Sequence, residues 1–140
     1  MTATTDPPAR IPEVSSEQMT GEMREFFDRW MTSGFDRSAA NPVLLTFAHN
    51  LATAGPFSQF TRHLLTTTSL PVKIRQMTIL RTAWLCKSTY MWSSHLDVSL
   101  RSGLSPALFS AIQRGPDDPH FTAFERTVVS STDQLGYGAP

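Results

Sequence analysis

Cysteine is almost missing from this chain, which has a single one, Cys86, in 140 residues. That excludes an internal disulfide and a thiolate zinc site, removes the zinc-finger and dithiol-redox readings together, and makes a reducing cytosol the natural compartment. An excess of one charge is missing as well. The 12 Lys and Arg residues balance 12 Asp and Glu, and no five like charges follow one another. Nothing therefore offers an electrostatic grip on nucleic acid or on an anionic membrane, and a small molecule or another protein is the expected partner. The N-terminal stretch 1–12 is polar and proline-bearing, with no apolar run, and resembles neither a secretory signal nor a transmembrane helix. We read 1–14 as a loose tail. No alternating apolar and polar pattern bounded by turn residues is present, which leaves strands without a signal.

What is present is helical spacing. Ser15 and Gln18 form a capping box, and Met19, Met23, Phe26, Phe27 and Trp30 recur at helical intervals behind it, predicting a first helix over about 16–32. Asn41 followed by Pro42 is an N-cap with proline at the first helical position, and Val43, Leu44, Phe47 and Leu51 supply an apolar stripe. Gly55-Pro56 is expected to break that helix, with Phe57, Phe60, Leu64 and Leu65 carrying a third to about Thr67 and the pair forming a hairpin. Pro71 opens a central, buried helix through Ile74, Met77, Leu80, Trp84 and Leu85 to about residue 86. A further helix is expected from Ser88 to Ser102 and is ended by Gly103; a short one follows from Ser105-Pro106 to about Gln113. After a loop over 115–120, Phe121, Phe124, Val128 and Leu135 predict a last helix that stops before Gly136. The expectation is an all-α chain of about six to seven helices, one domain over 15–136, and a short tail over 137–140.

Within the helix that starts at Ser88, Ser88, Met91 and His95 stand at i, i+3 and i+7, and Trp92 and Ser99 flank His95 at i−3 and i+4, so these residues share one face. A histidine there can give or take a proton near neutral pH, although a lone histidine on a partly apolar face also serves commonly as a structural residue. Tyr90 and Trp92 are candidates to contact a ligand, with core packing as the other reading, and Trp84 is read as packing. Arg75 and Arg81 lie on the central helix, where an arginine has to be paired or reach solvent. Arg75 can hold a substrate carboxylate or a subunit-interface ion pair. His49 either lines the mouth of a pocket or caps its helix; His63 and His120 are read as surface.

The residues Leu70-Pro71, Arg75, Ile79-Leu80-Arg81, Trp84-Leu85-Cys86, Tyr90, Trp92, His95 and Gly103-Leu104-Ser105 carry a resemblance. So do Phe47-Ala48-His49-Asn50 upstream, and Gly115-Pro116-Asp117 and Asp133-Gln134-Leu135 downstream. Together they make this chain similar to the carboxymuconolactone decarboxylase and alkylhydroperoxidase D superfamily over about three quarters of its length. The resemblance implies an alkylhydroperoxidase D-like helical bundle, a ligand pocket centred on His95, and a homo-oligomer, either a trimer or a hexamer. Longer relatives carry further helices beyond the last aspartate, whereas this chain stops at Pro140.

The departures from that pattern are chemical. The peroxidase branch places a glutamate, two cysteines and a histidine at positions that correspond here to Gln76, Ser88, Met91 and His95. Serine and methionine cannot provide the attacking thiolate and the resolving thiol of a dithiol peroxidase. Cys86 resembles a family position on the buried side and is expected to be a packed thiol. Thiol-free relatives keep acids where this chain has Gln76, Thr89 and Met91, all neutral. Gln76 can orient an imidazole but cannot take its proton. The expectation is a cofactor-independent lyase or isomerase without a metal, acting by decarboxylation, cyclisation or rearrangement on an apolar or aromatic metabolite of a biosynthetic pathway. In it His95 moves a proton or polarises an oxygen, Gln76 orients His95, and Ser88, Tyr90, Met91, Trp92, His49 and Arg75 bind substrate. The alternative is a catalytically silent domain that keeps the fold for ligand binding or assembly.

Overall fold

The computed structural model describes residues 10–31 and 42–137. Every regular element among them is helical. The chain divides into two compact units, Met1–Thr68 and Ser69–Pro140.

In the N-terminal unit the Ser15–Gln18 capping box forms, with the Ser15 amide donating to Gln18 Oε1 at 3.0 Å and the Gln18 amide to Ser15 Oγ at 3.4 Å. It closes only a turn, and the helix starts later, as α1 (Gly21–Met31), because Thr20 caps it by accepting from the Met23 amide at 3.3 Å. The stretch 12–14, assigned to the tail from sequence, is tied down: Val14 is buried, and its amide donates to the Leu45 carbonyl at 3.2 Å. The cap expected at Asn41 lies outside the described residues.

Helix α2 (Pro42–Phe47) passes through a 3-10 turn (Ala48–Asn50) into α3 (Leu51–Arg62). The expected break at Gly55-Pro56 does not occur, and α3 runs straight through it. The residue before a proline normally avoids helical geometry because its Cβ meets the proline ring. Glycine has no Cβ, so Gly55 removes most of that conflict. The interruption falls instead at Asn50, which leaves helical dihedrals (φ −140°, ψ 85°) so that its side chain can accept from the Thr53 amide. Phe47 and Phe57 then meet edge to face at 5.1 Å. A π turn (His63–Thr67) ends the unit's helical run.

In the C-terminal unit α4 (Val72–Leu85) is the central element and packs against α5 (Thr89–Arg101), α6 (Pro106–Arg114) and α7 (Ala123–Tyr137). Met77 and Leu80 of α4, Leu108, Phe109, Ala111 and Ile112 of α6, Phe121, and Val129 of α7 make one buried cluster, with Ile74, Trp92, Leu96 and Leu104 against its rim. Helices α4 and α5 end alike. Lys87 donates to the Trp84 carbonyl and Ser88 to Ala83; Gly103 donates to Leu100 and Leu104 to Ser99. Both are Schellman motifs, which need one residue in the left-handed region. Gly103 takes it at φ +80°, whereas Lys87 occupies it at φ +53°.

Charged side chains fasten this unit. Arg81 grips Asp133 of α7 through Nε at 2.6 Å and Nη2 at 2.7 Å, and Nη1 donates to the Ile112 carbonyl at the end of α6 at 2.8 Å. Gly115, at φ +108°, lies so close that a Cβ there would sit 3.4 Å from Arg81 Nη2. Thr122 and Glu125 form a capping box at the start of α7, and Glu125 also meets Lys73 of α4. Helix α7 continues through Gly136 to Tyr137 rather than stopping before it; the apolar pattern ends at Leu135, and a single interior glycine costs too little to end a helix.

Candidate functional site

Helices α4 and α5 are antiparallel neighbours joined by a three-residue turn, and this brings Gln76 to His95 across 19 residues of sequence. Nδ1 of His95 stands 3.0 Å from Gln76 Oε1, and the Ser99 hydroxyl donates to the same oxygen at 3.3 Å. Gln76 and Ser99 are both buried, 2% and 0% exposed, while His95 is half-buried. With Oε1 accepting both bonds, Nδ1 carries the imidazole proton and Nε2 carries the lone pair. Burial, and then the positive charge of Arg75, hold the His95 pKa below its usual value of 6.5. The ring is neutral near pH 7, oriented at one nitrogen and basic at the other. Among the described residues no carboxylate contacts it.

The other predicted residues take differing positions. Ser88 is the N-cap of α5, its Oγ accepting from the Met91 amide at 3.4 Å. Trp92 is half-buried against the core, with Trp84 tilted over it at 5.5 Å. Tyr90 and Met91 are exposed on the first turn of α5. Arg75 is half-buried on α4 beside Gln76, and its Nε is buried without a hydrogen-bond partner among the described residues. His49 belongs to the N-terminal unit, where its Nε2 is engaged by the Pro12 carbonyl at 2.8 Å, a local bracing contact.

Two expectations are corrected. Cys86 is exposed, because as the C-cap of α4 it lies where the chain turns outward. Trp84, read as packing, is 45% exposed and gives one edge of a surface aromatic pair with Trp92. The residue that sequence reasoning underused is Ser99. Its position one turn after His95 marked it, but its shared bond to Gln76 depends on how α4 lies against α5. Among the described residues no group of three or more His, Cys, Asp or Glu side chains is clustered as a metal site, and no helix is long and apolar enough to cross a membrane.

Compared with known proteins, this chain matches no family, no curated protein and no solved structure.

Proposed function

We propose that this chain is a thiol-free relative of the carboxymuconolactone decarboxylase superfamily, its helices a bundle of that type, and that it is a cofactor-independent lyase or isomerase with His95 as its proton-transfer group. The observation that carries this reading is the buried Gln76 amide fixing Nδ1 of His95, which leaves Nε2 as a base. The tautomer separates the two roles expected for the ring. Polarising a substrate oxygen requires a proton on Nε2, whereas taking a proton from carbon requires the lone pair that this arrangement leaves there, so proton abstraction is favoured. A substrate fit for this chemistry has an acidic C–H next to a carbonyl or conjugated lactone, which delocalises the electron pair once His95 takes the proton. The imidazolium then returns that proton at a different carbon; in a decarboxylation the electron pair comes instead from the breaking bond to the carboxylate, and the carbanion takes its proton from water, relayed through Nε2 of His95.

Proton exchange into a panel of conjugated lactone acids in deuterium oxide, followed by NMR, tests it. Exchange by the wild type that disappears in His95→Gln supports the reading; equal exchange in both proteins refutes it.

One observation favours a second reading: a neutral amide stands where a carboxylate would share the proton. On that reading the chain binds its ligand, or assembles, without turning anything over. The trimer or hexamer that the resemblance implies belongs to either reading, and the exposed Phe57 and Phe60 give it apolar surface to cover. A monomer mass by light scattering refutes it.

A further inference from the structure

The contacts of Lys73 with Glu125 and of Arg81 with Asp133 show that α4 and α7 run parallel, while α5 returns antiparallel from the turn at 86–88. The C-terminal ends of α4 and α7 and the N-terminal end of α5 therefore share one end of the C-terminal unit. That end carries exposed apolar side chains from all three helices: Trp84 of α4, Tyr90 and Met91 of α5, and Leu135 of α7, which is 90% exposed. Trp92 backs Trp84 at 5.5 Å.

Charge at this end is one-sided. No Asp or Glu occurs between Asp36 and Asp97, so neither α4 nor α5 before Asp97 holds an acid, an asymmetry that the balanced charge of the whole chain hides. Asp133, which α7 brings to the same end, is taken by two hydrogen bonds from Arg81. Lys87 is exposed in the turn and forms no ion pair among the described residues. It also occupies the left-handed region at φ +53°, where glycine would cost less. Backbone strain of this kind collects at functional positions. What lysine supplies there, and glycine does not, is a cation at the tip.

A stable protein interface takes about 800 Å² from each partner, or roughly 20–30 residues a side. Four exposed apolar side chains at the end of a helical hairpin fall short of that, and two copies meeting tip to tip would bring two lysines together. A bilayer surface sets no such minimum. Tryptophan and tyrosine settle at its headgroup level, where the ring is dry and the N–H or O–H is wet; leucine and methionine reach below them, and lysine meets anionic headgroups. We propose that the α4–α5 turn and the end of α7 form a membrane-docking tip whose partner is an anionic lipid surface, with Trp84, Tyr90, Met91 and Leu135 entering it and Lys87 on the headgroups.

Vesicles of phosphatidylcholine alone, and of an equal mixture of phosphatidylcholine and phosphatidylserine, serve as probes for the full chain, followed by co-sedimentation and tryptophan emission. Two of the three tryptophans lie at the tip, so emission is expected to shift to the blue on binding and to be quenched by lipids brominated on their acyl chains. Binding to the mixed vesicles is expected to weaken with added salt and to be several times weaker on phosphatidylcholine. Lys87→Gly is expected to weaken it by about fivefold although it relieves the backbone, which separates lost docking from lost folding. Leu135→Ser, at a position already in water, is expected to weaken it by about tenfold. No binding, equal binding to the two kinds of vesicle, or undiminished binding by both variants overturns the proposal. A dimer mass in light scattering that Leu135→Ser abolishes, without vesicle binding, also overturns it and gives the tip to a second copy.

Discussion

Gln76 Oε1 accepts from two sides at once, from the His95 ring at 3.0 Å and from the Ser99 hydroxyl at 3.3 Å, so one buried amide sets both the tautomer and the orientation of the imidazole. Because the amide is neutral, it positions the ring without stabilising an imidazolium. A carboxylate in its place would do both. Gln76→Glu is therefore expected to raise the pKa of His95, reversing the direction seen in the wild type, as read from the ring carbon shifts in an NMR titration. An unchanged or lower value would show that Nδ1 does not face position 76. Gln76→Leu, which leaves the His95 N–H and the Ser99 hydroxyl without their acceptor, is expected to destabilise the fold by about 1–3 kcal/mol.

Acid should unfold the protein in two stages. Burial and Arg75 lower the His95 pKa below 6.5, so the unfolded chain binds that proton more readily than the folded one. The associated stability is complete above the unfolded value and is lost as pH falls from there through the folded pKa. Glu125 is also lowered, chiefly by its hydrogen bond with Lys73, and its contribution is present above the unfolded value of 4.5 and lost on further acidification. Melting temperature measured against pH should fall first below about pH 6.5 and again below about pH 4.5. The first fall should be smaller in His95→Gln; an undiminished fall would assign it to another group.

Asp133 receives two hydrogen bonds from Arg81, whose side chain is only 8% exposed. Asp133→Asn leaves that guanidinium short of its counter-charge, and a loss of about 2–4 kcal/mol in chemical denaturation is expected, somewhat below a fully buried pair because the aspartate is part-exposed. Replacing both partners with apolar residues should cost less than the sum of the two single changes. Strict additivity would mean that the pair is not coupled.

Lys87 holds the left-handed position that Gly103 holds in the matching turn one helix later. Lys87→Gly should relieve the backbone and stabilise the protein by about 0.5–1 kcal/mol, while Gly103→Ala should destabilise it by about 1 kcal/mol. A Cβ at position 103 would meet nothing within 4 Å, so that cost is conformational rather than steric. Urea denaturation of the two variants checks the opposite signs.

Helix α4 was legible because Pro71 and the apolar spacing from Ile74 to Leu85 are local signals, and α5 because Ser88 and Gly103 bracket it. The caps at Ser88 and Ser105 form as their residue types dictate, and the helical periodicity of the apolar residues led to the all-α class. Local rules failed where two of them competed. Gly55-Pro56 reads as a break, yet the glycine is what lets the proline stay in the helix; Ser15 and Gln18 satisfy one another without a helix behind them.

The sequence by itself determined the all-helical class, the elements from α4 onward with their ends to within a few residues, and a face on which Ser88, Met91, Trp92, His95 and Ser99 lie together, because each of these depends on neighbours within about two helical turns. Only the tertiary structure decided the rest. The packing of α4 on α5 selected Gln76 as the partner of His95 and so assigned the proton to Nδ1. The packing of α4 on α7 gave Arg81 to Asp133 and left Arg75, six residues earlier on the same helix, with a buried nitrogen and no acceptor among the described residues. Two arginines of identical chemistry received opposite surroundings because pairing at 52 residues of separation depends on where whole helices come to rest, which no local pattern encodes.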